Sequence, residues 1–191
     1  MGSDPAATPS SSDAKALSVL FVCLGNICRS PMAEAVFRHY AASSTLSFSK
    51  IDSAGTGAYH LHSPPDSRTV STLKSHSITC RHSARQVNKG DFTDFDYILA
   101  MDEENLEDLL ELREKVLKRL GPNEADRVAE VRLFGDYKAD GSVCDKVGGG
   151  EVVPDPYYGG KSGFEDVYRQ LTRFTTGFLK YLEKKYSDVK D

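Results

Sequence analysis

The 191-residue sequence has no apolar run approaching the ~18 residues that a membrane-spanning helix needs, so no span is expected. The N-terminus is rich in Ala, Ser and Pro and lacks an apolar signal core. Secretion is therefore not expected, and the cytoplasm is the expected compartment. Gly2 invites a reading as a lipidation site, but Ala6 stands where that signal wants Ser or Thr. No run of Lys and Arg occurs and the formal net charge is −4, which argues against nucleic acid or an anionic membrane as partner. Cysteine is scarce. Cys23, Cys28, Cys80 and Cys144 match neither a zinc-ligand spacing nor a disulfide framework. Free thiols are the default in such a chain, and one or two of them are available for catalysis. No metal and no cofactor are expected, and no internal repeat is present.

What is present suits one α/β domain, expected over residues 16–186, with a polar, disordered extension over 1–15 and a short tail over 187–191. Leu17–Val22 is a nearly continuous apolar run of strand length, as in a parallel strand covered on both faces, and it ends directly in Cys23. Ser30 and Pro31 read as an N-cap and first helical position, followed by apolar residues at helical spacing to about Ala42. A second strand is expected over Leu46–Ala54, and Gly55 and Gly57 open a loop that carries Tyr59. Asp66 caps a short helix to about Ser75. Tyr97–Met101 is a third strand, and Asp102 caps a leucine-rich helix that Gly121-Pro122 ends. Val128–Phe134 is a fourth strand. A Gly- and Asp-rich loop follows over 135–160, and Ser162-Gly-Phe-Glu165 has the pattern of a capping box before a last amphipathic helix. The alternation predicts a doubly wound, four-stranded parallel sheet with helices on both faces. Ligands bind such sheets beyond the carboxyl ends of the strands, which is where Cys23, Met101-Asp102 and the 135–160 loop fall.

Between Cys23 and the helix lie Leu24, Gly25, Asn26, Ile27, Cys28 and Arg29, with Ser30 next. A tight turn from a strand into a helix N-terminus gathers backbone N–H groups into one concavity. Gly25 and Asn26 are residue types that tolerate the positive φ such a turn requires. The expected result is an oxyanion cradle of phosphate size, closed by a bidentate Arg29. A helix N-terminus and a guanidinium both favour the thiolate form of a neighbouring cysteine. Cys23 is thus the expected nucleophile for in-line attack on phosphorus, with Ser30 donating to its sulfur. A lone Cys at a strand end is more often a small buried hydrophobe. The Gly, Asn, Ser and Pro around this one make the chemical reading the stronger.

The stretch Val22-Cys-Leu-Gly-Asn-Ile-Cys-Arg-Ser-Pro31 resembles the low-molecular-weight protein tyrosine phosphatases. So do Asp52-Ser-Ala54, Phe95-Asp-Tyr-Ile98, Met101-Asp102 and Asp155-Pro-Tyr-Tyr-Gly159. The resemblance covers almost the whole chain after residue 16. It implies a flavodoxin-like fold and metal-free hydrolysis of phosphotyrosine through a phosphocysteine, with inorganic phosphate as product. It further implies that Asn26, Ser53 and His82 form the network that holds the loop.

A departing phenolate needs a proton donor from a different loop. Asp155, between two prolines, is the candidate. Asp-Pro is also an ordinary turn dipeptide, and the resemblance is what raises Asp155 to general acid and base. Asp102 reads first as a helix cap, with a supporting role near the site open. Tyr59, Tyr157 and Tyr158 are expected to wall a cleft that suits phosphotyrosine, and the resemblance marks the last two as phosphorylation targets. Cys28, five residues after Cys23, is either a redox partner of it or a packing residue. Cys80 and Cys144 read as structural or incidental.

Arsenate reductases share the Cys-x5-Arg-Ser loop but relay electrons through two further cysteines close together, and Cys80 stands alone in its segment. A protein-arginine phosphatase branch has Thr where Ile27 stands and lacks the tyrosine pair. A non-catalytic phosphate-binding module is expected to lose Cys23, Arg29 or Asp155, and all three are present. Asp136–Val153 departs from the family pattern in being longer and richer in Gly, with a hinge expected at Gly148–Gly150. The expected partners are phosphotyrosine proteins, and the expected assembly is a monomer or weak dimer.

Overall fold

The computed structural model describes residues 15–158, 160 and 162–187. The expected N-terminal extension apart from Lys15, the Gly2 signal, Gly159 and the tail apart from Ser187 lie outside the described residues. The apolar run forms β1, Leu17–Cys23, with all seven residues buried. α1 (Arg29–Ala41), β2 (Phe48–Gly55), α2 (Ser67–Ser75), a short α3 (Asp91–Asp94), β3 (Tyr97–Ala100), α4 (Glu103–Leu120), β4 (Glu130–Leu133) and α5 (Gly163–Ser187) follow. The sheet order is β2-β1-β3-β4, and every pairing is parallel. β1 is central because both its faces are apolar.

Side chains alternate along β1 between two cores. Leu17, Val19, Phe21 and Cys23 face α1, α2 and α5, where Phe37, Leu73, Phe134, Phe174 and Phe178 pack. Leu20 and Val22 face α3 and α4, where Phe92, Leu106, Leu109 and Val116 pack. The chain leaves β1 toward β2 and later returns to β3 on the other side, so the topological switch point lies at the carboxyl end of β1.

The caps at Asp66 and Asp102 form as read: Asp66 accepts from the Arg68 N–H at 2.8 Å, and Asp102 accepts from the Asn105 N–H at 2.8 Å. Gly121 ends α4 at φ 90°. Three readings need correction. α1 begins at Arg29, so Ser30 and Pro31 lie within its first turn. Ser30 points its hydroxyl into the site instead of capping, and Pro31 is tolerated because first-turn N–H groups lack helical partners anyway. The capping box at Ser162–Glu165 does not form among the described residues, because His76 (3.0 Å) and Arg169 (3.3 Å) take the Glu165 carboxylate. The glycines at 148–150 are clamped instead of hinged. The buried Asp136 carboxylate accepts from the Gly148 N–H at 2.9 Å and the Gly150 N–H at 2.8 Å. No helix among the described residues is long and apolar enough to cross a membrane.

Candidate active site

β1 carries Cys23 to the carboxyl edge of the sheet, and the chain curls through Leu24–Cys28 into α1. The curl is fastened from outside. The Thr56 N–H donates to the Cys23 carbonyl (2.8 Å), the Gly57 N–H to the Leu24 carbonyl (2.9 Å) and the Asp66 N–H to the Ile27 carbonyl (2.8 Å). A Cβ at Gly55 would sit 2.7 Å from the Leu24 carbonyl oxygen, so the end of β2 can come this close only as glycine. Among the described residues, the N–H groups of Leu24, Gly25, Ile27, Cys28, Arg29 and Ser30 have no protein acceptor. These are the donors that the anion cradle requires.

Asn26 fastens the curl from inside. It is buried at φ 55°, a left-handed conformation that Asn reaches more readily than other non-glycine residues. Its Nδ2 donates to Ser30 Oγ (2.9 Å) and Ser53 Oγ (3.0 Å), and its Oδ1 accepts from the Arg85 N–H (2.9 Å) and His82 Nε2 (2.8 Å). The expected trio is thus in contact. The network runs further than read, because Ser53 Oγ donates to Glu34 Oε2 (2.8 Å) and His82 Nδ1 faces the same oxygen (3.2 Å). Burial alone would raise the Glu34 carboxyl, yet hydrogen bonds from His82 and Ser53 and the charge of Arg38 hold it below the ordinary range.

Glu34, Asp52 and His82 each bring one ligand atom within 4.8 Å of the others, the one such grouping among the described residues. Arg38 pairs with Glu34 (3.0 Å) and Arg85 with Asp52 (2.9 Å), so the group is matched internally as a charged brace under the loop.

The Cys23 sulfur accepts from the Asn26 N–H at 3.3 Å and lies 3.0 Å from Ser30 Oγ, whose hydrogen it shares with the Ala54 carbonyl (3.3 Å). Arg29 is buried. It donates through Nη1 to Asp102 Oδ2 (2.5 Å) and the Val153 carbonyl (3.1 Å), while Nη2 lies 3.8 Å from Asp155 Oδ2. Burial would lower the Arg29 pKa, but the Cys23 sulfur, Asp102 and Asp155 outweigh it and keep the guanidinium charged. Asp102 therefore both caps α4 and aims Arg29. Burial, Asp66 and Cys23 push the Cys28 thiol up to about 12.

A cavity of about 290 Å³ opens over the loop, lined by Cys23, Arg29, Tyr59, His60, Asp155, Tyr157 and Tyr158 among others. The three tyrosines stand at its mouth, with Tyr59 74% and Tyr158 88% exposed. The Tyr157 and Tyr158 rings meet edge to face at 5.0 Å. Asp155 Oδ1 accepts from the Tyr157 N–H at 3.0 Å, a local turn that sets the direction of the carboxylate. Sequence reasoning missed Glu34, His60, Arg85 and Val153. Glu34 and Arg38 look like an ordinary surface pair at i, i+4, and the other three act through contacts distant in sequence.

The family model "Low molecular weight phosphotyrosine protein phosphatase" matches residues 18–188. The chain belongs to this family. It is 46% identical over 168 residues to the Schizosaccharomyces pombe protein of that name, covering 87% of this chain and 97% of the relative. The Homo sapiens protein of that name is 44% identical over 164 residues, with 85% and 94% covered. Among solved structures, a protein tyrosine phosphatase from Entamoeba histolytica with Hepes in the active site superposes with a TM-score of 0.72. It is 36% identical, with 89% of this chain and 99% of that one covered. A Drosophila arginine phosphatase gives 0.71 at 33% identity, with 86% and 97% covered. Family membership accounts for the four-stranded parallel sheet and for the loop that follows β1.

Proposed function

We propose that the protein hydrolyses phosphotyrosine in protein substrates, and small aryl phosphates, through a phosphocysteine on Cys23. The observation that carries this reading is one constellation. Cys23 Sγ lies beneath a loop whose N–H groups, Asn26 apart, have no protein acceptor among the described residues, a charged Arg29 closes the loop, and Asp155 stands across the cavity on a separate segment. In the first step the Cys23 thiolate attacks phosphorus in line and a P–S bond forms. The P–O bond to the tyrosine breaks, and the Asp155 carboxylic acid gives its proton to the leaving oxygen. The loop N–H groups and Arg29 bind the equatorial oxygens as charge shifts among them. In the second step the Asp155 carboxylate takes a proton from water, the oxygen attacks phosphorus, and the P–S bond breaks to release inorganic phosphate. Ser30 and the Asn26 N–H stabilise the sulfur as it leaves.

No residue of this route requires a metal. Tyr59, Tyr157 and Tyr158 wall the cleft, and with Ile27 in the loop they favour an aromatic phosphoester over phosphoarginine. Cys28 serves as the thiol that captures oxidised Cys23. The cytoplasm is the compartment that fits free thiols. Arsenate reduction finds no support in a second pair of neighbouring cysteines, since Cys80 and Cys144 lie in separate segments.

The test is hydrolysis of p-nitrophenyl phosphate and of phosphotyrosine peptides. Cys23→Ser is expected to abolish both. Asp155→Asn is expected to slow aryl phosphates with poor leaving groups by about 10²–10⁴-fold, the usual worth of general acid catalysis. Activity retained in Cys23→Ser refutes the nucleophile, and an unchanged leaving-group dependence in Asp155→Asn refutes the acid.

A further inference from the structure

We infer that Arg68, on the first turn of α2, is the positioning residue that aims the acid loop at the cradle. Its guanidinium joins three segments. Asp66 caps α2 and sits directly behind the cradle, because its N–H donates to the Ile27 carbonyl at 2.8 Å. Arg68 grips the Asp66 carboxylate with both edges of a fork, Nε to Oδ1 at 2.9 Å and Nη2 to Oδ2 at 2.8 Å. The remaining Nη1 donates to the Tyr157 carbonyl at 3.2 Å. The guanidinium plane also packs on the Tyr157 ring (4.8 Å) and on the Phe164 ring at the start of α5 (4.6 Å).

Tyr157 is the residue whose N–H holds Asp155 Oδ1. Arg68 thus grips the far end of the same turn that orients the proposed acid. The chain of contacts runs from the floor of the cradle (Ile27) through Asp66 and Arg68 to Tyr157 and Asp155. It bridges two segments about 130 residues apart (Ile27 and Tyr157), and neither Asp66 nor Arg68 lines the cavity over the cradle. A second fastening reaches the other end of the acid segment. The Val153 N–H donates to the Met101 carbonyl at 2.7 Å, and the Val153 carbonyl accepts from Arg29. Val153 and Tyr157 are therefore fixed points, and Asp155 is the midpoint between them.

A lysine cannot replace this arrangement. One ammonium group lacks the planar fork that grips the carboxylate on one side and reaches a carbonyl on the other. Arg68 is half-exposed and lies at the edge of the core, over the Phe164 ring, so its replacement is expected to leave the fold standing, which the thermal midpoint checks.

The inference rests on Asp155 as the acid, and the experiment separates the two. The quantity read is the slope of log kcat/KM against leaving-group pKa across a series of aryl phosphates. It is measured for wild type, Arg68→Met, Arg68→Lys, Asp155→Asn and the Arg68→Met/Asp155→Asn double variant. Inhibition by inorganic phosphate and the thermal midpoint are followed alongside. Arg68→Met and Arg68→Lys are both expected to steepen the slope, with losses of about tenfold or more for the poorest leaving groups. Inhibition by phosphate is expected to shift less than about twofold, because the cradle itself is untouched. In the double variant Arg68→Met is expected to add nothing to Asp155→Asn.

A uniform loss across all leaving groups overturns the positioning role, as does full activity in Arg68→Lys or additive effects in the double variant. If Asp155→Asn itself leaves the slope unchanged, the acid assignment has failed and the Arg68 inference falls with it. A steepened slope in Asp155→Asn with a wild-type slope in Arg68→Met overturns the Arg68 inference alone.

Discussion

Asn26 shows how much of this site depends on single side chains chosen for two properties at once. A short amide tolerates φ 55° and offers two donors and an acceptor, and all of them are used. The residue types of the loop were therefore legible in the sequence, because positive φ and phosphate geometry leave few alternatives. Glu34 was not legible, since nothing local distinguishes it from a solvated helix acid. Its pH behaviour makes it testable. The folded protein holds the Glu34 carboxyl below its ordinary value of about 4.5, so the unfolded chain binds that proton more tightly. The stabilisation is fully present above about pH 4.5 and is lost as the pH falls through the depressed folded value. Glu34→Gln is expected to lower stability at neutral pH and to flatten its decline on acidification. Urea unfolding from neutral pH to about pH 3 checks this, and a decline as steep as wild type counts against the brace.

At the scale of elements, β1, α2 and α4 follow from period, caps and stops, and the sequence shows all three. The start of α1 was misplaced by two residues because Ser30-Pro31 imitates a cap. Its serine is claimed by Cys23 and Asn26 instead, a tertiary demand that overrides local preference. The 136–153 insertion was legible as a loop but not as an ordered one. Its order comes from Asp136, whose buried carboxylate collects two glycine N–H groups, and from the bridge between Gly135 and Glu151. The α1 N-terminus also decides what Cys28 can do. Cys28 is the N-cap residue, buried, with its thiol pushed up to about 12 by burial, Asp66 and Cys23. At neutral pH it is a thiol, and attack on an oxidised Cys23 needs the thiolate, with water leaving as the S–S bond forms. Capture is therefore expected to accelerate as pH rises. Peroxide-treated Cys28→Ser is expected not to regain activity with dithiothreitol, whereas wild type does. Equal recovery of the two enzymes rules out the capture role.

For the whole molecule, the relevant fact is that one sheet serves two cores and the site grows from its shared strand. Leu20 and Val22 of β1 belong to the α4 side, while Phe21 and Cys23 belong to the α5 side. Among the described residues the two cores form separate clusters on opposite sides of β1, and neither can lose its side of that strand without exposing the other. We propose that residues 16–186 therefore unfold as one cooperative unit, even though substitutions in the two cores do not share partners. Ile98→Val on the α4 side is expected to cost about 0.5–1.5 kcal/mol and Leu182→Ala on the α5 side about 2–5 kcal/mol. Ile98 and Leu182 are both fully buried, and they lie in separate clusters. The double variant is expected to show the sum to within about 0.5 kcal/mol. In every variant, far-ultraviolet circular dichroism and tyrosine fluorescence are expected to trace one transition. Separate midpoints for the two probes would show the cores unfolding independently. A coupling well above that margin would show strain passing through β1, and hence through the base of the catalytic loop.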